Sequence, residues 1–231
     1  GEAALAAGVQ RLVYTSSTAA LWLGGGGSIT GAVGPDPRPE CRSGYARGKI
    51  AAEHELAALR ARGLPVVVVR PAIVVGDDGI VEHSGVGMWV KDNHCIGWGS
   101  GRAPLPFVLA DDCAQALIAA LAAEGVVGNS YNLAGDVRLS ARGYVTAIAA
   151  HTGRAYHFAG TPLWWMWLQE CGKYLVKALA RRPREWPQRR DLASRGFRTG
   201  LDCSDAKRDL GFEPESDRDR FLRRLFDAGP R

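Results

Sequence analysis

The run Val66-Val67-Val68-Val69 constrains the fold more than any other stretch of this chain. Four β-branched residues in succession favour a strand. Because every position is apolar, and not every second one, the strand needs cover on both faces, as in a parallel sheet with helices on either side. Its surroundings fit that demand. Arg11-Leu12-Val13-Tyr14-Thr15 reads as a short buried strand with Ser16-Ser17-Thr18 at its carboxyl end. Residues 44–62 read as a helix with Ile50, Leu56 and Leu59 among its apolar positions and Gly63 at its stop, and Arg70-Pro71 ends the valine strand. Phe107-Val108-Leu109, a helix capped near Asp111 or Asp112 and running to about Ala123, the strand Ser130–Leu133 and a helix over about 140–152 continue the alternation. The pattern predicts an α/β fold with a parallel sheet and right-handed crossovers.

The length of 231 residues suits one large domain or one domain with a small appendage, and 46% apolar residues allow a sizeable core. The net charge of +5 reads first as surface Lys and Arg, and more sharply as a taste for an anionic ligand such as a phosphate ester. Nothing resembles a zinc finger, a basic zipper or a basic-aromatic array, so no nucleic-acid partner is expected. The cysteines stand at 41, 95, 113, 171 and 203, an odd number without a CxxC cluster, and His83, His94, His151 and His157 lack ligand spacing, so no metal site is expected. A reducing cytoplasm is the simplest location. Gly1-Glu2-Ala3-Ala4-Leu5 lacks the basic start and apolar run of a signal peptide, and no segment reaches the roughly 20 apolar residues of a spanning helix.

Tyr45 and Lys49 are four residues apart in Ser43-Gly44-Tyr45-Ala46-Arg47-Gly48-Lys49, which puts both on one helix face. An ammonium beside a phenol favours the phenolate, and a phenolate can take a proton from an alcohol. In open parallel sheets, ligands sit beyond the carboxyl ends of the strands. Ser17 follows one such end, Pro71 to Gly76 follow the next, and Tyr45 and Lys49 lie on the helix between, so three segments aim at one cleft.

At these residues the chain resembles the extended short-chain dehydrogenase/reductase family of NAD-dependent epimerases and dehydratases and 3β-hydroxysteroid dehydrogenases. The matching pieces are Val13–Ser17, Tyr45–Lys49, Arg70–Gly76, Phe107–Ala114 and Asp205–Pro214, in family order over nearly the whole chain. The resemblance implies a Rossmann-type sheet and hydride transfer between an alcohol carbon and NAD or NADP. It implies that Ser17 hydrogen-bonds the reacting oxygen, that Tyr45 is the general acid/base, and that Lys49 lowers the phenol's pKa and holds the nicotinamide ribose. Pro71, Ala72, Ile73 and Val74 would border the nicotinamide. The substrate class it implies is a nucleotide-linked sugar, handled by epimerisation or alcohol/ketone redox. A steroid-like or lipid alcohol is the second reading, and a non-catalytic fragment or interaction module the third.

The sequence departs from the family in three places. Gly48 stands where serine is common, which costs helix propensity and no reacting group. Thr18-Ala19 replace the Asp-Glu pair of the 4,6-dehydratases, which disfavours dehydration. No Gly-x-x-Gly-x-x-Gly turn is present to hold a pyrophosphate, and residues 24–27 follow the candidate serine and cannot play that part. The start at Gly1 reads as the end of a helix closed by Gly8. The expectation is therefore a catalytic half without the amino-terminal cofactor half, and weak NAD(P) binding by this chain alone.

Residues 1–135 are assigned to the Rossmann-type part, with part of the substrate region inserted at about 77–106, and 136–231 to a mostly helical substrate-binding region. Residues 24–37 are rich in Gly and Pro and read as a surface loop, or as a lid. Trp164, Leu168, Cys171, Leu175 and Leu179 share one face of a helix, read first as a core or lid helix, second as a membrane-surface helix within 161–190, third as a partner interface. Arg181, Arg182, Arg184, Arg189 and Arg190 read as a solvated basic face, or as a contact for a sugar-nucleotide diphosphate. A homodimer is left open. Ser16 and Thr15 read as strand-end hydrogen-bonders, Asp77-Asp78 as a turn, and Asn132 as a partner for backbone groups.

Overall fold

The computed structural model describes residues 1–76, 81–91, 93–183 and 185–226. The expected turn at Asp77-Asp78 lies outside this set, as does one member of the arginine stretch, Arg184. In chain order the elements are α1 (Glu2–Ala6), β1 (Leu12–Thr15), β2 (Ser28–Ile29), α2 (Gly44–Ala61), β3 (Val66–Pro71), β4 (Ile73–Val75), β5 (Gly87–Val90) and β6 (His94–Trp98). There follow β7 (Phe107–Leu109), α3 (Ala110–Ala122), β8 (Ser130–Leu133), α4 (Ala141–Thr152), β9 (His157–Thr161), α5 (Leu163–Leu179), α6 (Arg189–Arg195), β10 (Gly200–Leu201), α7 (Ser204–Leu210) and α8 (Arg218–Phe226).

The valine run is the middle strand of a parallel sheet, β1-β3-β8, with Leu12 opposite Val66 and Val68 opposite Ser130. Every residue of β3 is buried. Val67 and Val69 pack with Cys113, Ala116 and Ala120 of α3, while Val66 and Val68 pack with Leu56 and Leu59 of α2. Alternate side chains of one strand thus feed two helix-covered cores, which is why no polar residue interrupts the run.

Around this sheet lie smaller ones: β4-β7 and β2-β10, both parallel, and β5-β6-β9, in which β5 runs antiparallel to β6. The glycine-rich stretch is pinned where a free loop would have floated. β2 lies inside it and pairs with β10, Gly26 N donates to Thr199 Oγ1 at 3.1 Å, and Gly31 N donates to Asp205 Oδ2 at 2.8 Å. Gly31 packs so closely that a Cβ there would collide with the Ser130 carbonyl oxygen.

The valine strand ends at Pro71 as expected, and Arg70 lies buried within it, held by a carboxylate partner. Two expectations need correction. Neither Asp111 nor Asp112 caps α3, whose N-cap position is Leu109. Asp112 is instead buried and accepts from Glu215 N at 2.9 Å and Arg224 Nη2 at 2.7 Å, so it ties α3 to the segment before α8 and to the last turn of α8. On α5 the expected core face points outward: Trp164 is 65% and Leu179 87% exposed, and Met166 is the buried residue. Periodicity shows that a helix has an apolar side, but not whether the rest of the chain covers it.

Candidate active site

The carboxyl ends of β1 and β3 and the first turns of α2 open on one cavity of about 590 Å³. Ser17, Tyr45, Lys49, Pro71, Ala72, Ile73 and Val74 all line it. Residues up to 57 positions apart in sequence converge there because β1 and β3 are parallel neighbours whose ends lie side by side.

Tyr45 stands on the exposed side of α2, 62% accessible. One turn later, Lys49 Nζ donates to the Thr15 carbonyl at 3.0 Å and lies 6.0 Å from the centre of the Tyr45 ring and 5.3 Å from that of Tyr14. The lysine therefore bridges the helix to the end of β1. Ser17 Oγ accepts from Ala19 N at 3.1 Å, which starts the 3₁₀ turn Thr18–Ala20 and leaves the hydroxyl proton free to be donated elsewhere. Ser16 is differently engaged. It is buried, and its Oγ donates to Glu53 Oε1 at 2.5 Å. Of the two serines, Ser17 is thus the one with an uncommitted proton facing the cavity.

Two buried charge clusters that the sequence reading missed support the cavity, one behind it and one that forms part of its wall through Arg42 and Asp191. Glu53 follows Lys49 by one more turn of α2, and its carboxylate holds Arg70 as well as Ser16. The spacing Tyr45, Lys49, Glu53 was itself a signal, since all three lie on one helical stripe. In the other cluster, Arg42 donates to Asp36 at 2.6 Å, to the carbonyls of Leu21 and Ala19, and to Asp191 at 3.4 Å. Asp191 of α6 also accepts from Ser43 N at 3.1 Å and Ser43 Oγ at 2.9 Å. This fastens α6 to the entry of α2, two residues before Tyr45. No local pattern could have shown it, because the partners are 149 and 148 residues apart.

Burial pushes the Asp36 carboxyl up, but hydrogen bonds from Arg190 and Arg42 outweigh it and hold the group below its ordinary value. Asp191 behaves alike: burial raises it, and the Ser43 backbone N–H and Arg195 bring it below the usual range. Of the arginine stretch, Arg190 is spent on Asp36 at 2.8 Å and stacks 3.8 Å over Trp22, so it is no free basic face. On the far wall, Arg195 lies 4.8 Å over the Trp98 ring and lines the cavity. His83 also lines it, accepting from Gly85 N through Nδ1 at 2.9 Å, and burial lowers its pKa.

Three other histidines stack, His94 on His157 and His151 on Phe226, and among the described residues no group of His, Cys, Asp and Glu could hold a metal ion. Asn132 Nδ2 reaches the Ile29 carbonyl at 3.4 Å, and its buried Oδ1 has no partner among the described residues. Burial pushes the thiols of Cys95, Cys113 and Cys203 up to about 12, 11 and 11.

The family model for the NAD dependent epimerase/dehydratase family matches residues 1–134. The chain belongs to that family. A curated relative, the uncharacterized protein y4nG of Sinorhizobium fredii, is 33% identical over 133 residues, which are 56% of this chain and 32% of that protein. Among solved structures, UDP-glucuronic acid 4-epimerase from Bacillus cereus, in complex with NAD, superposes with a TM-score of 0.68 at 18% identity, over 98% of this chain and 63% of that one. MoeE5 in complex with UDP-glucose and NAD gives 0.65 at 21%, over 98% and 67%. The UDP-glucose 4-epimerase of Thermus thermophilus, complexed with NAD, gives 0.62 at 20%, over 98% and 66%. At these identities the likeness establishes the Rossmann-type fold. The chain spans about a third of the length of the curated relative and about two thirds of that of the solved structures.

Proposed function

We propose that this chain carries the acid/base centre of an NAD-dependent epimerase or alcohol/ketone oxidoreductase acting on a nucleotide-linked sugar. The observation that carries the reading is the convergence of Ser17, Tyr45, Lys49 and Pro71–Val74, from three separate segments, on one cavity. In this reading the Tyr45 oxygen takes the proton of a substrate hydroxyl and returns it when the carbonyl is reduced. The Lys49 ammonium attracts the charge that the phenol oxygen gains. The free hydroxyl proton of Ser17 is donated to the reacting oxygen and holds it in place. The backbone from Pro71 to Val74 and the Lys49 side chain are the groups that fit the nicotinamide and its ribose. NAD, when bound, supplies the acceptor and donor of the hydride. In this reading these residues serve the nicotinamide half of that cofactor.

The wall of the cavity gives an anionic substrate limited support over a steroid-like one, because the Arg195 guanidinium over Trp98 already pairs through Nε with Asp191, at 3.1 Å, and only its terminal nitrogens face other partners. The relatives crystallised with UDP-glucose or UDP-glucuronic acid lend the same support. The test is Tyr45→Phe in the intact enzyme. Loss of turnover by about 10²- to 10⁴-fold is expected. Full-rate alcohol oxidation by the variant would remove the catalytic reading and leave an interaction module in its place.

A further inference from the structure

Positive charge is concentrated in one short segment of this chain. Residues 163–190 contain seven Lys and Arg against two acidic residues, and of the seven Arg190 is spent on Asp36. The same segment displays an apolar stripe. Trp164, Leu168, Leu175 and Leu179 recur on one side of α5, all exposed, and Trp165 and Val176 widen the band. The opposite edge holds the helix to the body. Met166 is buried, Trp167 Nε1 donates to the Pro187 carbonyl at 3.1 Å, and Arg189 stacks 5.2 Å over the Trp167 ring. The stripe is therefore presented outward from a helix that is fixed in place.

Bulky apolar groups held in water on one face are costly, and a contiguous band of them marks a contact surface. Its chemistry selects the partner. The polar side of α5 carries Lys177 and Lys173, the latter paired with Glu170 at 2.7 Å across the exposed surface, and Arg181 and Arg182 follow its last turn. Near the amino end, the stripe runs into a groove of about 530 Å³ lined by Trp164, Trp186, Arg38 and Arg189. Tryptophan and leucine on one face with basic residues on the other compose a helix that lies in the headgroup layer of a bilayer. Crossing is a different matter: α5 has 17 residues, and among the described residues no helix is long and apolar enough to span a membrane. A second copy of this chain is a poorer occupant, because a self-complementary contact would set the basic segment against itself.

We propose that α5 docks this protein on an anionic phospholipid surface. Trp164, Leu168, Leu175 and Leu179 enter the boundary between headgroups and acyl chains. The long stems of Lys173, Lys177, Arg181 and Arg182 carry their charges to the lipid phosphates and carboxylates. This surface lies outside the cleft, and its test does not depend on turnover.

The experiment is co-sedimentation of the chain with phosphatidylcholine vesicles, with and without phosphatidylserine. Binding is expected to the vesicles that contain phosphatidylserine, and is expected to fall when salt rises from about 0.1 M to about 0.5 M. Replacing Lys173, Lys177, Arg181 and Arg182 together by Gln lowers that binding on the order of 100-fold, at a few-fold per charge. Leu168→Ser with Leu175→Ser and Leu179→Ser lowers it comparably, with the circular dichroism of both variants unchanged. Equal binding to both vesicle types, or none to either, overturns the proposal. So does a dimer in light scattering that the serine variant dissociates while the wild-type chain ignores vesicles, because a second copy then covers the stripe.

Discussion

The Glu53 carboxylate grips Arg70 inside the core, with Nε at 2.9 and 3.2 Å and Nη2 at 2.6 Å from its oxygens. Both side chains are almost fully buried, at 4% and 2% exposure. Arg70 completes its bonding with the carbonyls of Gly31 and Val33, at 3.0 and 2.9 Å. The pair thereby joins α2, which carries Tyr45 and Lys49, to the end of β3, one residue before Pro71, and through Ser16 to the end of β1. All three walls of the cleft meet at one carboxylate.

Removing one partner of such a pair strands the other as an uncompensated buried charge. Glu53→Gln is expected to cost about 3–5 kcal/mol of stability. The double change Glu53→Leu with Arg70→Met is expected to cost less than the single one, because no charge is left stranded. Urea unfolding of the three proteins measures this, and a double variant weaker than the single would contradict the account.

The second buried cluster sets an acid limit. Asp36 and Asp191 are held below their ordinary values in the folded protein, so the unfolded chain binds protons first as pH falls. Their stabilisation is fully present above the unfolded carboxylate value of about 3.9. It is lost as pH falls from there through the folded values. Melting temperature measured against pH should drop below about pH 4, and Asp36→Asn should flatten that drop.

Gly48 lies inside α2, on its exposed side, and a Cβ there would meet nothing within 4 Å. Gly48→Ala is expected to stabilise the protein by about 0.5–1 kcal/mol, since alanine loses less backbone freedom on folding. A lower melting temperature for the variant would show that the space is not open.

Asp112 accepts from the Glu215 backbone and from Arg224, and it is buried. Asp112→Ala leaves both donors without that acceptor and is expected to cost about 1–3 kcal/mol. In the variant, amide hydrogen exchange should quicken more over residues 213–226 than over α3, since the carboxylate holds the carboxyl-terminal segment down. Unchanged exchange over 213–226 would contradict that role.

Much of this was legible in the chain itself. The valine run announced a strand covered on both sides, since only uninterrupted apolar residues can fill two cores at once. The boundaries of α2 followed from Gly63 and its apolar spacing, and the seven candidate site residues were named from strand ends, the Tyr-Lys spacing and the family resemblance. These features are local, and a local pattern is written in neighbouring letters. What the sequence could not convey were choices made between distant segments. Arg42 with Asp191, Asp112 with Arg224, the pinning of residues 24–37 by β10, and the outward turn of the α5 stripe each depend on which surfaces meet after the chain collapses. Tyr45 and Lys49 were readable as a pair because one turn of helix places them together. Glu53 and Arg70 became partners only when β3 packed on α2, because burying a charge there required an opposite one within reach.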